Sequence, residues 1–259
     1  MMESIGRQLL AILALAVMIG CGGDGRNSTS AAGSDSAAGG AASAAAVATD
    51  ERSTVLVLGT SLTAGLGLQP EDAYPALLQE RVDSVGLPFR IVNAGVSGET
   101  SAGALRRLDW LMRQDFEILV LETGANDMLR GMDLDSTRAN IQAIVDRVRA
   151  ERPEAEIVLA GMLAPPNLGR EYTDRFREMY VELAEENDLA LIPFLLRGVG
   201  GVPEMNQADG IHPNEEGARV VADNVWEVLG PILREWAGAL STAPADAGER
   251  HGGSGPGAP

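Results

Sequence analysis

Only two histidines occur in this chain of 259 residues, and one of them stands where an imidazole could do chemistry. His251 lies in a Gly/Pro-rich stretch that reads as unfolded, whereas His212 sits in "DGIHPN" (209–214), three residues after Asp209 and directly before Pro213. An imidazole, with an ordinary pKa near ~6.5, exchanges protons readily around neutrality. Asp209 can accept its second ring N–H, which fixes the tautomer and steadies the imidazolium. Such a pair serves a hydroxyl that must lose its proton as it attacks, because serine is a poor nucleophile without an adjacent base. Ser61, in "GTSLTAG" (59–65), placed where a helix should begin, is the candidate for that hydroxyl. Attack on an ester carbonyl makes an oxyanion, which needs donors already in place. The N–H of Ser61 and the N–H of Gly95, in "NAGVSGET" (93–100), are candidate donors, and Asn126, in "TGANDMLRG" (123–131), offers a side-chain amide as a third. Glycine at 95 would also let the backbone approach a substrate closely.

These residues are far apart in sequence, so the elements between them must bring them together. Five short apolar runs read as strands: 54–59, 89–95, 117–124, 156–162 and 189–194. Several are apolar at consecutive positions, as expected when helices cover both sheet faces. Helical spacing groups Tyr74, Leu77, Leu78 and Val82; Ile141, Ile144, Val145 and Val148; Phe176, Tyr180 and Leu183; and Val221, Val225, Val228, Ile232 and Trp236. Strand alternating with helix predicts a parallel sheet in a doubly wound α/β domain. Ligands in such sheets sit outside the carboxyl ends of the strands, and Ser61, Gly95, Asn126 and the Asp209/His212 pair all follow strands. Pro213 is expected in the first turn of the last helix, where its missing N–H is harmless.

"GTSL" (59–62), "NAGVSGET" (93–100), "GANDMLRG" (124–131) and "DGIHPN" (209–214) resemble, in order, the four blocks of the SGNH or GDSL hydrolase superfamily, and the likeness spans residues 54–236. "NAGVSGETSAGALRRL" and "PALL" are similar to the bacterial thioesterase I, lysophospholipase and arylesterase group. The resemblance implies a three-layer α/β/α fold on a five-stranded parallel, flavodoxin-like sheet. It implies Ser61 as nucleophile, Asp209 and His212 completing a triad, and Ser61, Gly95 and Asn126 lining the oxyanion hole, with no cofactor. The implied activity is hydrolysis of carboxylic esters or thioesters: aryl esters, acyl-CoA thioesters and lysophospholipids. A carbohydrate acetylesterase on the same fold and a non-catalytic lipid- or glycan-binding lipoprotein are the alternatives. Thr60 stands where the family has the aspartate of its GDSL block.

Composition removes other classes. The formal net charge is −17 and the pI about 4.5, which argues against nucleic acid as a partner. All 20 basic residues are arginines, so a P-loop, a Schiff-base or PLP enzyme and a Ser-Lys dyad lack their amine. A metal on Asp209 and His212 would find no further histidine or cysteine in the domain. "GTSLTAGLGL" lacks the GxGxxG spacing of a dinucleotide site. Glu122 and Asp127 could be a carboxylate pair for glycoside hydrolysis, but read as one side chain facing solvent and the other a backbone turn.

The ends of the chain read differently from its middle. Arg7, the apolar run 8–20 and Gly20-Cys21 form a signal peptide, since the run is short of the ~20 residues a membrane span needs. Cys21 resembles a lipobox cysteine, with Met18 in place of the usual leucine and Gly22 weakly favouring the outer membrane. Lipidation there would hold the protein on the bacterial cell envelope. Residues 22–52 read as a flexible tether, 53–237 as one hydrolase domain and 238–259 as a disordered tail. Size and surface charge suggest a monomer. Loops 127–133, 162–170 and 195–208 are expected to cover the site. Met128, Leu129, Leu163 and Pro165 are their candidates for an apolar substrate groove, in which methionine adapts to varied shapes.

Overall fold

The computed structural model describes residues 52–242. The expectations for residues 1–21, for most of the tether and for 243–259, Cys21 included, lie outside the described residues. Five strands form one parallel sheet: β1 (Ser53–Gly59), β2 (Phe89–Gly95), β3 (Ile118–Leu121), β4 (Glu156–Ala160) and β5 (Ala190–Ile192), in the spatial order β2-β1-β3-β4-β5. This is the flavodoxin-like order, with its switch point at β1. The central strands are buried on both faces: Val55–Leu58, Ile118–Leu121 and Val158–Ala160 have no solvent exposure. That double burial explains why they read as unbroken apolar runs rather than alternating ones.

Among the described residues seven α-helices flank the sheet: α1 (Ser61–Ala64), α2 (Tyr74–Ser84), α3 (Ser101–Leu111), α4 (Ala125–Leu129), α5 (Leu134–Glu151), α6 (Arg170–Glu186) and α7 (Glu215–Thr242). α2 packs on α7, while α3 packs on α5 and α5 on α6. Two helical layers thus sandwich the strands, as right-handed crossovers require. The four apolar stripes read from sequence fall on α2, α5, α6 and α7, and all their members lie in the core or against it.

The elements depart from the sequence reading in several places. Helix α3 carries no long aliphatic stripe and escapes the periodicity. It buries Ala104, Leu108 and Leu111, and the Thr100 side chain caps it by accepting from the Gly103 N–H at 3.3 Å. β3, β4 and β5 are shorter than the runs read from sequence and end at Leu121, Ala160 and Ile192. The last helix continues through Thr242, so residues 238–242 are helix rather than tail. Pro213 precedes that helix instead of opening it: Asn214 is the capping residue, its Oδ1 accepting from the Gly217 N–H at 3.0 Å. Among the described residues no helix is long and apolar enough to cross a membrane.

Register brings the carboxyl ends of the strands level, with Gly59 opposite Gly95, Leu58 opposite Leu121 and Ala160 opposite Ile192. The segments that follow therefore emerge on one edge.

Candidate active site

Ser61 begins α1 immediately beyond β1 and is 9% exposed. His212 arrives from the loop between β5 and α7. Its Nε2 lies 2.9 Å from Ser61 Oγ, across 151 positions of sequence. Its Nδ1 lies 2.6 Å from Asp209 Oδ2. The other carboxylate oxygen, Oδ1, accepts from the backbone N–H groups of Ile211 (2.9 Å) and His212 (3.0 Å). The bond from the imidazole, then those two N–H groups, hold the Asp209 carboxyl well below its usual range. An ionised Asp209 can only accept, so Nδ1 carries the proton and Nε2 is left to accept from the serine hydroxyl.

The two halves of this chain of bonds are tied together beneath it. Gln207 Nε2 donates to Leu66 O (2.6 Å), just after α1, and to Pro213 O (2.9 Å), next to the histidine. The Gln207 N–H donates to His212 O at 2.8 Å. One residue thus spans the serine segment and the histidine loop.

Asn126, in the first turn of α4, donates from Nδ2 to Glu99 O at 3.0 Å. An amide NH₂ has two protons, so this bond fixes its plane and leaves one free. Glu99 is itself held: Arg107 Nε donates to both carboxylate oxygens at 2.8 Å, and Arg107 Nη2 reaches Ala94 O (2.6 Å) and Gly59 O (3.3 Å). Arg107 therefore clamps the ends of β1 and β2 to the loop that orients Asn126.

Gly95 does not meet the expectation of a free donor. Its N–H donates to Asn93 Oδ1 at 2.9 Å. A Cβ at 95 would lie 2.2 Å from the Ala64 backbone nitrogen, so glycine is needed there to let β2 pass α1, not to approach a ligand. Gly98 has the properties sought. Its φ is +77°, which favours glycine; its N–H donates in no hydrogen bond among the described residues; and its carbonyl accepts from Arg130 Nη2 at 2.7 Å. The signal lies in "SGET", a glycine two places before the threonine that caps α3.

Glu122 and Asp127 also correct the sequence reading, since both are buried. Asp127 accepts from the Ser101 N–H (2.9 Å) and Oγ (2.5 Å), anchoring the start of α3. Glu122 is 0% exposed and accepts from the Thr60 N–H (2.6 Å), Thr60 Oγ1 (2.8 Å) and Thr63 Oγ1 (3.0 Å). Thr60, in place of the family's aspartate, thus supplies a donor to a buried carboxyl directly behind Ser61. Burial raises the Glu122 pKa above the ordinary 4.5 and outweighs those hydrogen bonds, which lower it. The folded protein then holds this proton more tightly than the unfolded chain, so the stability it contributes is complete below 4.5 and is lost as pH climbs through the folded value. Glu122→Gln removes that titration. Its melting temperature relative to the parent is expected to rise steadily as pH is taken upward from 4.5; a difference constant with pH would refute the shift.

The apolar candidates divide. Met128 is 8% exposed and belongs to the core, because it lies on the inner face of the short α4. It is therefore not a groove residue. Leu129 and Leu163 are 54% and 39% exposed, and Pro165 is also exposed, all on segments that follow β3 and β4.

Likeness to known proteins adds to this geometry. Residues 57–220 match the model of the GDSL-like lipase/acylhydrolase family. The chain belongs to that family. This GDSL-like protein is 43% identical over 181 residues to the esterase TesA of Pseudomonas aeruginosa, covering 70% of this chain and 89% of that one. It is 38% identical over 181 residues to thioesterase 1/protease 1/lysophospholipase L1 of Escherichia coli K12, covering 70% and 85%. The solved structure of the psychrotrophic esterase EstA from Pseudoalteromonas sp., inhibited by monoethylphosphonate, superposes with a TM-score of 0.66 at 34% identity, over 70% of this chain and 98% of that one.

Proposed function

We propose that this family member is a serine esterase, cleaving carboxylic esters or thioesters through an acyl-enzyme on Ser61. The hydrogen-bonded series Asp209–His212–Ser61 carries the reading, because its 2.6 and 2.9 Å contacts join a fixed tautomer to a hydroxyl. Ser61 Oγ attacks the carbonyl carbon as its proton passes to His212 Nε2, and Asp209 steadies the imidazolium that forms. The oxyanion is received by the N–H of Ser61, which as the first residue of a helix has no acceptor within it, by the N–H of Gly98 and by the free amide proton of Asn126. Collapse expels the alcohol or thiol, protonated by Nε2. Water, deprotonated by the same nitrogen, then attacks the acyl-enzyme and releases the acid. The names of the relatives, esterase and thioesterase, support both leaving-group types. Leu129, Leu163 and Pro165 offer apolar surface for the acyl or aryl part.

Short- to medium-chain p-nitrophenyl esters test the proposal. The full chain is expected to hydrolyse them, and Asn126→Ala to lower kcat by about 10²-fold or more while KM changes little, since the oxyanion exists only beyond the ground state. No turnover of any ester would refute the function; a change confined to KM would refute the role of Asn126.

A further inference from the structure

We infer that Thr60 and Glu122 are positioning residues for the nucleophile: a hydroxyl and a buried carboxyl together hold the strand-to-helix turn that aims Ser61. The inference rests on the esterase reading above and adds to it a cause for the place of the serine.

Ser61 would supply both the attacking Oγ and one oxyanion donor, yet little in its own segment holds it. Helix α1 has four residues, and a single helical turn is not stable by itself. The Ser61 side chain bonds only to His212. Thr60 stands at the N-cap, where a threonine usually accepts from the first turn, but its side chain makes no such bond. It donates instead to a carboxyl just beyond β3. Thr60 Oγ1 lies 2.8 and 3.0 Å from the two oxygens of Glu122, and the Thr60 N–H donates to Oε2 at 2.6 Å. Thr63 Oγ1, on the same turn, donates to Oε2 at 3.0 Å and pairs with Tyr74 OH at 2.7 Å. Thr60 O accepts from the Ala64 N–H at 2.9 Å. The peptides on both sides of Thr60 are thereby fixed, and the second of them carries the Ser61 N–H. A Cβ at Gly59 would lie 2.7 Å from Glu122 Oε2, so the backbone entering the turn rests on the carboxyl itself. Thr60, Thr63, Tyr74 and Glu122 are each no more than 2% exposed, and water cannot replace a bond lost among them.

A hydroxyl suits this place because it can donate to an ionised carboxyl or accept from a neutral one. Thr60 and Thr63 therefore hold the turn in either state of Glu122, whose pKa burial raises. Only threonines bond to Glu122 among the described residues. The titratable groups that face it are Tyr74 of α2 and Tyr180 of α6. Burial first, then the Glu122 carboxyl, raises both phenols, which stay neutral beside it. Asp127 of α4, which also raises Tyr180, is bonded to Ser101. An aspartate at 60, the residue of the GDSL block, would bring a second carboxyl into bonding range of the first. Two such groups hold together only while they share a proton.

Hydrolysis of p-nitrophenyl esters by full-length variants tests the inference, with rates taken per fluorophosphonate-titrated serine and well below each melting temperature. Thr60→Val keeps the shape and removes the hydroxyl. It is expected to lower kcat by about tenfold or more with KM little changed, because a slightly displaced nucleophile leaves ester binding intact but attacks poorly. Thr60→Ser restores the hydroxyl and is expected to stay within about twofold of the parent. Thr60→Asp is expected to lose kcat relative to the parent progressively as pH is raised from about 6 to about 9, as the shared proton leaves. A role in stability alone would not produce that profile, since only folded, titrated sites are counted. Valine at the parental kcat, serine no better than valine, or an aspartate-to-parent ratio constant with pH overturns the positioning while leaving the esterase intact. The aspartate series decides by itself if the valine variant does not fold. A parent that hydrolyses none of the esters overturns the esterase reading, and the positioning with it.

Discussion

Ser61→Ala is expected to lower kcat for a p-nitrophenyl ester by about 10⁵- to 10⁶-fold, with the melting temperature little changed. The size follows from the part played by the hydroxyl. Its loss removes the covalent route, and His212 and Asp209 then have no proton to move, so removing the serine forfeits the effect of all three. Residual catalysis would come from the oxyanion donors and from binding. Stability is spared for a local reason. Ser61 does not cap its own helix, its side chain bonds only to the imidazole, and alanine is the residue a helix tolerates best. Rates measured at saturating ester, together with thermal melts of both proteins, check the result. A Ser61→Ala protein within about tenfold of the parent would mean that another group carries the chemistry.

Asp209→Asn is expected to have the next largest effect, a fall in kcat of about 10⁴-fold. The change is small in shape but reverses the tautomer. The amide that replaces the carboxylate can still accept from the Ile211 and His212 N–H groups through its oxygen, which turns its NH₂ toward Nδ1. The imidazole must then accept at Nδ1 and carry its proton at Nε2, where it faces Ser61 Oγ at 2.9 Å with nothing left to receive the serine proton. The ionised state of Asp209 in the parent is secured by the same bonds, which hold its pKa far below neutrality. Parallel measurement of kcat and KM for the variant decides the matter, since a substrate-binding role would move KM and leave kcat within an order of magnitude.

Much of this arrangement is legible in the sequence because its signals are local. The five strands are visible because β1, β3 and β4 are buried on both faces and contain almost no polar residue. Asp209 and His212 are visible as a pair because only two residues separate them. Ser61 is visible as the residue at a strand-to-helix turn. What stays hidden depends on partners distant in sequence. Glu122 meets Thr60 across 62 positions and Asp127 meets Ser101 across 26, so neither carboxyl can be assigned to the interior from its neighbours. Gly95 ends β2 and Gly98 lies in the turn just after it, and composition cannot say which N–H the Asn93 side chain occupies or which residue takes a positive φ. Met128 and Leu129 are adjacent and both apolar, yet the short helix α4 turns one into the core and the other outward. Helix α3 is inconspicuous because its buried face is built from alanine and spaced leucines, and its cap, Thr100, makes sense only once the helix is known.

The central claim is that the Ser61 oxygen is a nucleophile activated by His212. It is tested most directly by treating the full chain with a fluorophosphonate and locating the adduct by peptide mass spectrometry. The expected result is one phosphonyl group on Ser61, absent from Ser61→Ala and formed far more slowly in His212→Ala. A folded parent protein left unlabelled, or one labelled at another residue, would contradict it.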